Sequence, residues 1–402
     1  MEEHYQAYFA WKNQGFQNEW CWHVDAHLDI GKTDLGQAKL DRLKGCPDAR
    51  SAAEAELLGN SYLPWGGLHC GNYLWPAIRE GIVSRLSWVI PPDLPEGSLL
   101  TWARNHLNSW YELSLKEYAS LRLEGERVVG KLLGIPFEMG TLEALTLPSK
   151  PVLLDVDIDY FLTEEGQAWQ ESEVFTEAIA SIPILYQTVA YSVRGGFTPT
   201  SERRLAAPFL NGETDGYSMT DLDQLAGLVR CHKYREAIEF EVRAQTEQRV
   251  EVGFLKGSSY QATDQMDEAL KIWEELLTFD ELSSGGRAYL HGICAEILNA
   301  EKRPEEALQH TLQAQKIEPD NHLHYWNEAV ARELLGEWRR TSKALRKVIK
   351  LSEHLLFGLR ARHALSRVYA HQGKDGLANL ELKKLGQLDV TGHYRPATML
   401  AR

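Results

Sequence analysis

Cationic side chains are scarce in this chain: 43 Lys and Arg stand against 57 Asp and Glu, a formal net charge of −14. Nucleic-acid backbones are held mainly by clustered Lys and Arg, so no nucleic-acid partner is expected. An acidic balance suits a cationic substrate better. Cysteine is also scarce. Cys21, Cys46, Cys70, Cys231 and Cys294 are odd in number and lack CxxC spacing, which argues for reduced thiols and against a zinc ribbon. No run reaches the roughly 18 apolar residues of a membrane span. The opening MEEHYQAYFAW has neither a basic n-region nor an apolar h-region, so a cytoplasmic protein with no membrane partner is expected.

What is present is globular. The 402 residues, 44% hydrophobic and 25% charged, suffice for two or three domains. Twelve Trp serve binding grooves and cores alike. Through residue 210, short β-rich runs alternate with helical ones. Glu19–Val24, Leu86–Ile90, Val152–Val156 and Tyr186–Val193 read as strands, and Leu74–Gly81 and Leu99–Leu123 as helices. This order predicts an α/β domain over 1–210 with a mostly parallel sheet flanked by helices. Its binding crevice should lie beyond the carboxyl ends of the strands.

After a Gly-, Pro- and Thr-rich stretch the pattern becomes helical only. An all-α repeat domain, tetratricopeptide-like, is predicted over 217–390. Ala269, Ala307, Thr341 and Ala378 recur at spacings of 38, 34 and 37, each preceded twelve residues earlier by Gly257, Ala295, Ala329 or Ser366. Small residues at both positions suit close-packed antiparallel helices. An ordinary helical bundle is the alternative.

Two acidic motifs each follow a predicted strand. In HVDAHLDI, Asp25, His27 and Asp29 are spaced by two, which on an extended strand would turn all three to one side. In LLDVDIDYF, Asp155, Asp157 and Asp159 end an apolar run. Unpaired carboxylates there would be costly, and cations relieve the cost. Oxygen-rich sets with one or two imidazoles suit manganese better than zinc. Either motif alone also reads as a solvated strand end or a structural calcium loop; together they form a constellation.

With these motifs the chain resembles the arginase and deacetylase superfamily. The resemblance covers roughly residues 1–205 and is closest to an arginase-like branch that contains peptide arginases of ribosomal peptide pathways; NYLWPA and LDVDIDYF fit that branch's motifs. It implies two Mn2+ bridged by Asp25 and Asp155, with Asp29 completing one site and His27 with Asp157 the other. The family's upstream histidine selects His4. WGGLHCGNYL is similar to a loop whose histidine, here His69, carries protons, although its glycines also suit a plain tight loop. Asp159 would serve catalysis, accepting a hydrogen bond from the attacking water or binding guanidinium, and Asn72 would contribute to substrate binding. The late stretch QTVAYSVRGGFTP lacks the family's guanidinium-binding acid; Glu202 lies nearby, off register. The strand that precedes the upstream histidine in the family is expected to be truncated or absent, which would open that edge of the site.

The implied activity is hydrolysis of peptidyl arginine to peptidyl ornithine and urea. The implied partner is a precursor peptide whose leader meets the helical repeats. A deacetylase-like amide hydrolase with one zinc and a non-catalytic repeat scaffold with a structural metal site are the alternatives. Self-association is left open by the sequence.

Overall fold

The computed structural model describes residues 1–31, 37–93, 97–210, 218–243 and 248–394. It contains a seven-stranded mixed sheet: β1 (Glu19–Val24), β2 (Val83–Val89), β3 (Arg122–Glu124), β4 (Arg127–Leu132), β5 (Ile135–Gly140), β6 (Val152–Asp157) and β7 (Ile184–Ala190). Their order is β3-β4-β5-β2-β1-β6-β7. Pairings among β5, β2, β1, β6 and β7 are parallel, whereas β3 and β4 form an antiparallel edge on β5. The central strands are buried along most of their length, and all six residues of β6 are buried, as expected where both sheet faces are covered.

One predicted helix divides and three strands are added. β1 matches its predicted span, while β3 to β5 come from a stretch not expected to hold strands. The Leu99–Leu123 helix divides into Leu99–Tyr111 and Leu115–Ser120, because Glu112 takes φ +60° and ends the first helix.

The chain forms two compact units, Met1–His106 with Ser120–Ile272, and Leu107–Ala119 with Trp273–Arg402. Division therefore falls elsewhere than at the change of composition near 217. In the first unit, helices Asp221–Arg230, Tyr234–Glu239 and Arg249–Ala262 pack on one another. They share a core of Leu222, Leu225, Ala226, Ala237 and Leu255 with Tyr62 against it. Tyr62 Oη donates to Asp223 Oδ1 at 2.6 Å, and Asn60 Nδ2 to Glu251 Oε1 at 2.7 Å. These contacts attach the three helices to the sheet unit.

The second unit is a run of helical hairpins: Ser284–Ala300 with Pro304–Ile317, His322–Leu334 with Trp338–Ser352, and Leu356–His371 with Asp375–Leu388. Ala295, Ala307, Ala329, Thr341, Ser366 and Ala378 are all buried, as close helix crossings require. Gly257 and Ala269 are buried as well, and the Arg249–Ala262 helix that carries Gly257 also packs against the two helices before it. Residues 107–119 join this unit through Leu115 N–H to His354 O, Leu356 N–H to Leu113 O, and the Glu112–His322 pair at 3.1 Å. Among the described residues no helix is long and apolar enough to cross a membrane.

Candidate metal centre

The carboxyl ends of β1 and β6 lie side by side, since His23 pairs with Asp155 across the parallel ladder. β1 stops at Val24, so the two-residue spacing of Asp25, His27 and Asp29 does not act through strand alternation. A loop gathers them instead: Asp25 Oδ1 accepts from His27 N–H at 2.7 Å, and Asp29 takes φ +53°. β6 ends at Asp157, whose carboxylate accepts the Asp159 N–H and starts a short 3-10 turn. That turn brings Asp159 back toward β1.

His4 reaches the same place from the other side. Tyr191 N–H donates to Met1 O at 2.9 Å, Arg203 pairs with Glu2, and Ser61 donates to the buried Glu3. Residues 1–3 thus line the end of β7, so the edge expected to be open is covered, and His4 is fully buried.

Two layers result. In the lower one, Asp155 accepts from the Tyr73 hydroxyl, from His23 Nδ1 at 3.0 Å and from Thr188 Oγ1 at 2.5 Å, and His4 Nε2 lies 3.2 Å away. Its lone pairs are occupied. In this arrangement Asp155 groups with His4 and His23 and faces hydrogen-bond donors, apart from the His27 cluster, so the expected bridging position is not seen for it. Asp155 and the Tyr73 oxygen, 2.9 Å from His4 Nε2, fix the proton on that nitrogen, leaving the Nδ1 lone pair facing upward.

In the upper layer, His4 Nδ1 lies 3.3 Å from Asp25 Oδ2, 3.1 Å from Asp29 Oδ2 and 3.0 Å from Asp157 Oδ2. His27 Nδ1 lies 3.0 Å from Asp159 Oδ2 and 3.6 Å from Asp25 Oδ1. Asp25 thus turns one oxygen to each cluster. His4 Nδ1 and Asp25 Oδ2 are buried without a hydrogen bond. A hard octahedral ion holds its ligands at about 2.1 Å, which sets neighbouring donor atoms about 3 Å apart. Two groups of donors could each hold such an ion, His4 with Asp25 and Asp29, and Asp25 with His27 and Asp159; Asp157 Oδ2 lies beside the first, 3.0 Å from His4 Nδ1, and accepts from Ser192 Oγ at 2.5 Å.

Without cations the electrostatics are unbalanced. Burial, and then repulsion from Asp25, raises Asp29 to about 6; burial, and then Asp157 and Asp25, push Asp159 well up. Asp25 and Asp155 move down despite burial, because His23 and His4 lie against them. His4 and His27 move up despite burial because carboxylates surround them. In the metal-free protein some of these acids hold protons that cations would displace.

His23 and Tyr73 were not among the candidates drawn from sequence. The spacing of two places His23 in line with Asp25, and Tyr73 lies inside the NYLWPA stretch, so signals for both existed. Three other candidates take different positions. His69 Nδ1 accepts from Gly71 N–H at 3.1 Å, and burial together with the Arg230 charge lowers the ring to about 4. In this arrangement the ring is neutral, with Nε2 left as the donor. Asn72 is buried and spends its amide on its own loop, accepting from His69 N–H and donating to Gly67 O. Glu202 is held by Ser201 and Arg204 on its own turn, away from the acidic cluster.

No protein-family model matches the chain, and no curated protein matches it. Among solved structures it is similar to "MamA MSR-1 C2", with 17% identity, 42% of this chain and 94% of that chain covered, and a TM-score of 0.36. It is likewise similar to "MamA 41-end from Desulfovibrio magneticus RS-1", with 13% identity, 44% and 99% covered, and a TM-score of 0.38. The hairpin architecture rests on this chain's own helix packing.

Proposed function

We propose that the sheet unit is an arginase-like hydrolase that holds two divalent ions, manganese by preference, and converts peptidyl arginine to peptidyl ornithine and urea. One observation carries this reading: Asp25 presents Oδ2 to the His4 cluster and Oδ1 to the His27 cluster. The motif resemblance supports it. Asp157 stands beside His4 and Asp159 beside His27, where the resemblance had paired Asp157 with His27.

When bound, such an ion pair supplies an acidified water and charge stabilisation. The chain's own residues do the positioning. Tyr73 and Asp155 hold His4 by Nε2, and His23 braces Asp25 and the backbone oxygen of His27. His69 offers Nε2–H to a substrate acceptor. The overall step adds the water oxygen to the guanidinium carbon, breaks the bond from that carbon to the side-chain nitrogen, and leaves a proton on the departing amine. The helical hairpins are the proposed reader of the precursor's leader. A deacetylase-like mechanism fits less well, because the Tyr73 hydroxyl is spent on Asp155.

The test is mass spectrometry of arginine-containing precursor peptides after incubation with the manganese-loaded protein. A loss of about 42 Da per converted arginine, dependent on the two-ion loading, is expected. Urea from free arginine without any peptide loss would move the substrate class. The absence of both products would refute the hydrolase reading.

A further inference from the structure

A cation is delivered to the mouth of this centre by a glycine contact. Gly196, in the loop after β7, has φ +80°, and a Cβ on it would lie 2.2 Å from Gly227 N and 2.5 Å from the Ala226 carbonyl carbon. The loop and the Asp221–Arg230 helix therefore meet backbone to backbone, which only glycine permits. The next residue, Phe197, sets its ring edge against His27 with centroids 5.3 Å apart. Arg230, the last residue of the helix, lies over that ring with Cζ 4.1 Å from the centroid.

Arg230 is exposed and makes no hydrogen bond or ion pair among the described residues. Neighbours crowd its guanidinium enough to lower its pKa, with Cys70 and Asp159 opposing, and its charge is felt by His69. A guanidinium carries five N–H donors in a planar fork matched to a carboxylate, and His69 adds one more donor nearby. A fixed cation here opposes a second guanidinium unless the substrate brings a compensating anion.

We infer that Arg230 binds a carboxylate that the substrate carries close to its reacting guanidinium. This rests on the hydrolase reading and narrows its substrate class. The carboxylate has two sources: an acidic side chain flanking the target arginine, or the terminal carboxylate of a C-terminal arginine.

The test uses the full manganese-loaded chain at about physiological salt, where screening is fixed, and two pairs of labelled peptides. One pair has arginine beside Asp or Asn; the other ends in arginine as free acid or amide. Binding is read by fluorescence anisotropy and urea release is followed in parallel, for wild type, Arg230→Gln and Arg230→Lys. Within one pair the acid form should bind wild type about five- to tenfold tighter, and that pair names the source. Arg230→Gln should bring the ratio to about one, and Arg230→Lys should retain part of it. Equal binding within both pairs, a preference that survives Arg230→Gln, or no binding of any peptide overturns the inference. An acid preference without urea release defeats the hydrolase reading and leaves the Arg230 role standing; urea release without the preference does the reverse.

Discussion

Replacing Gly196 with Ala tests how the helix carrying Arg230 is attached to the sheet unit. Two costs add. A side chain at φ +80° costs about 1–2 kcal/mol by steric crowding of Cβ. The new methyl would also stand 2.2–2.7 Å from Gly227 N, Ala226 C and Gly227 Cα. These are backbone atoms that cannot rotate aside, so overpacking adds roughly 1–3 kcal/mol. The natural control is Gly15→Ala, where φ is +72° and nothing lies within 4 Å, so only the first cost applies. Urea denaturation followed by tryptophan fluorescence should show Gly196→Ala destabilised by roughly 2–5 kcal/mol, and by at least about 1 kcal/mol more than Gly15→Ala. Equal losses in the two variants would refute the close backbone approach, and with it the placement of Arg230 over Phe197.

Asp155→Asn keeps the shape but weakens a carboxylate that serves three hydrogen-bond donors and His4 Nε2. Titration should show manganese affinity reduced by roughly 10- to 100-fold, as for a group behind a ligand, whereas Asp157→Asn should abolish one site. On acidification from pH 6.5 to about 4, buried histidines cost stability while Asp29, raised to about 6, opposes them, so the histidine contribution is read as a difference between wild type and variant. His106, stacked on Trp102 with centroids 4.7 Å apart, and His291 in the first hairpin are both lowered from 6.5 to about 4, chiefly by burial. The unfolded chain binds these protons first, so the contribution of these two histidines is full above pH 6.5 and is lost as the pH drops through that window, by on the order of 1 kcal/mol per group after allowance for partial exposure. Urea midpoints across pH 4–7 measure it, and His291→Gln should flatten the slope by about one proton.

The acidic motifs were legible because carboxylates crowded at the ends of apolar strands repel one another unless cations or hydrogen-bond donors meet them. His4 was reachable only through resemblance, since nothing local distinguishes it; its burial comes from residues 1–3 lining β7. The layer assignment within LLDVDIDYF was not legible. Alternate spacing is the same for Asp155, Asp157 and Asp159, and what separates them is Tyr73, His23 and Thr188 surrounding the first, together with the 3-10 turn that redirects the third. The small-residue register located the later hairpins, whereas helices 221–262 read as repeat because their pattern is helical, although Tyr62, Asn60 and Gly196 attach them to the sheet unit. β3 to β5 went unseen where charged and glycine residues interrupt the alternation.

The central claim is that Asp25 is shared between two cation sites. Isothermal titration of the metal-free chain with manganese, paired with electron paramagnetic resonance, tests it most directly. The account predicts two ions per wild-type chain with a spin-coupled signal, and loss of that coupled signal in Asp25→Asn. One ion per wild-type chain, or a coupled pair that persists in Asp25→Asn, would contradict it.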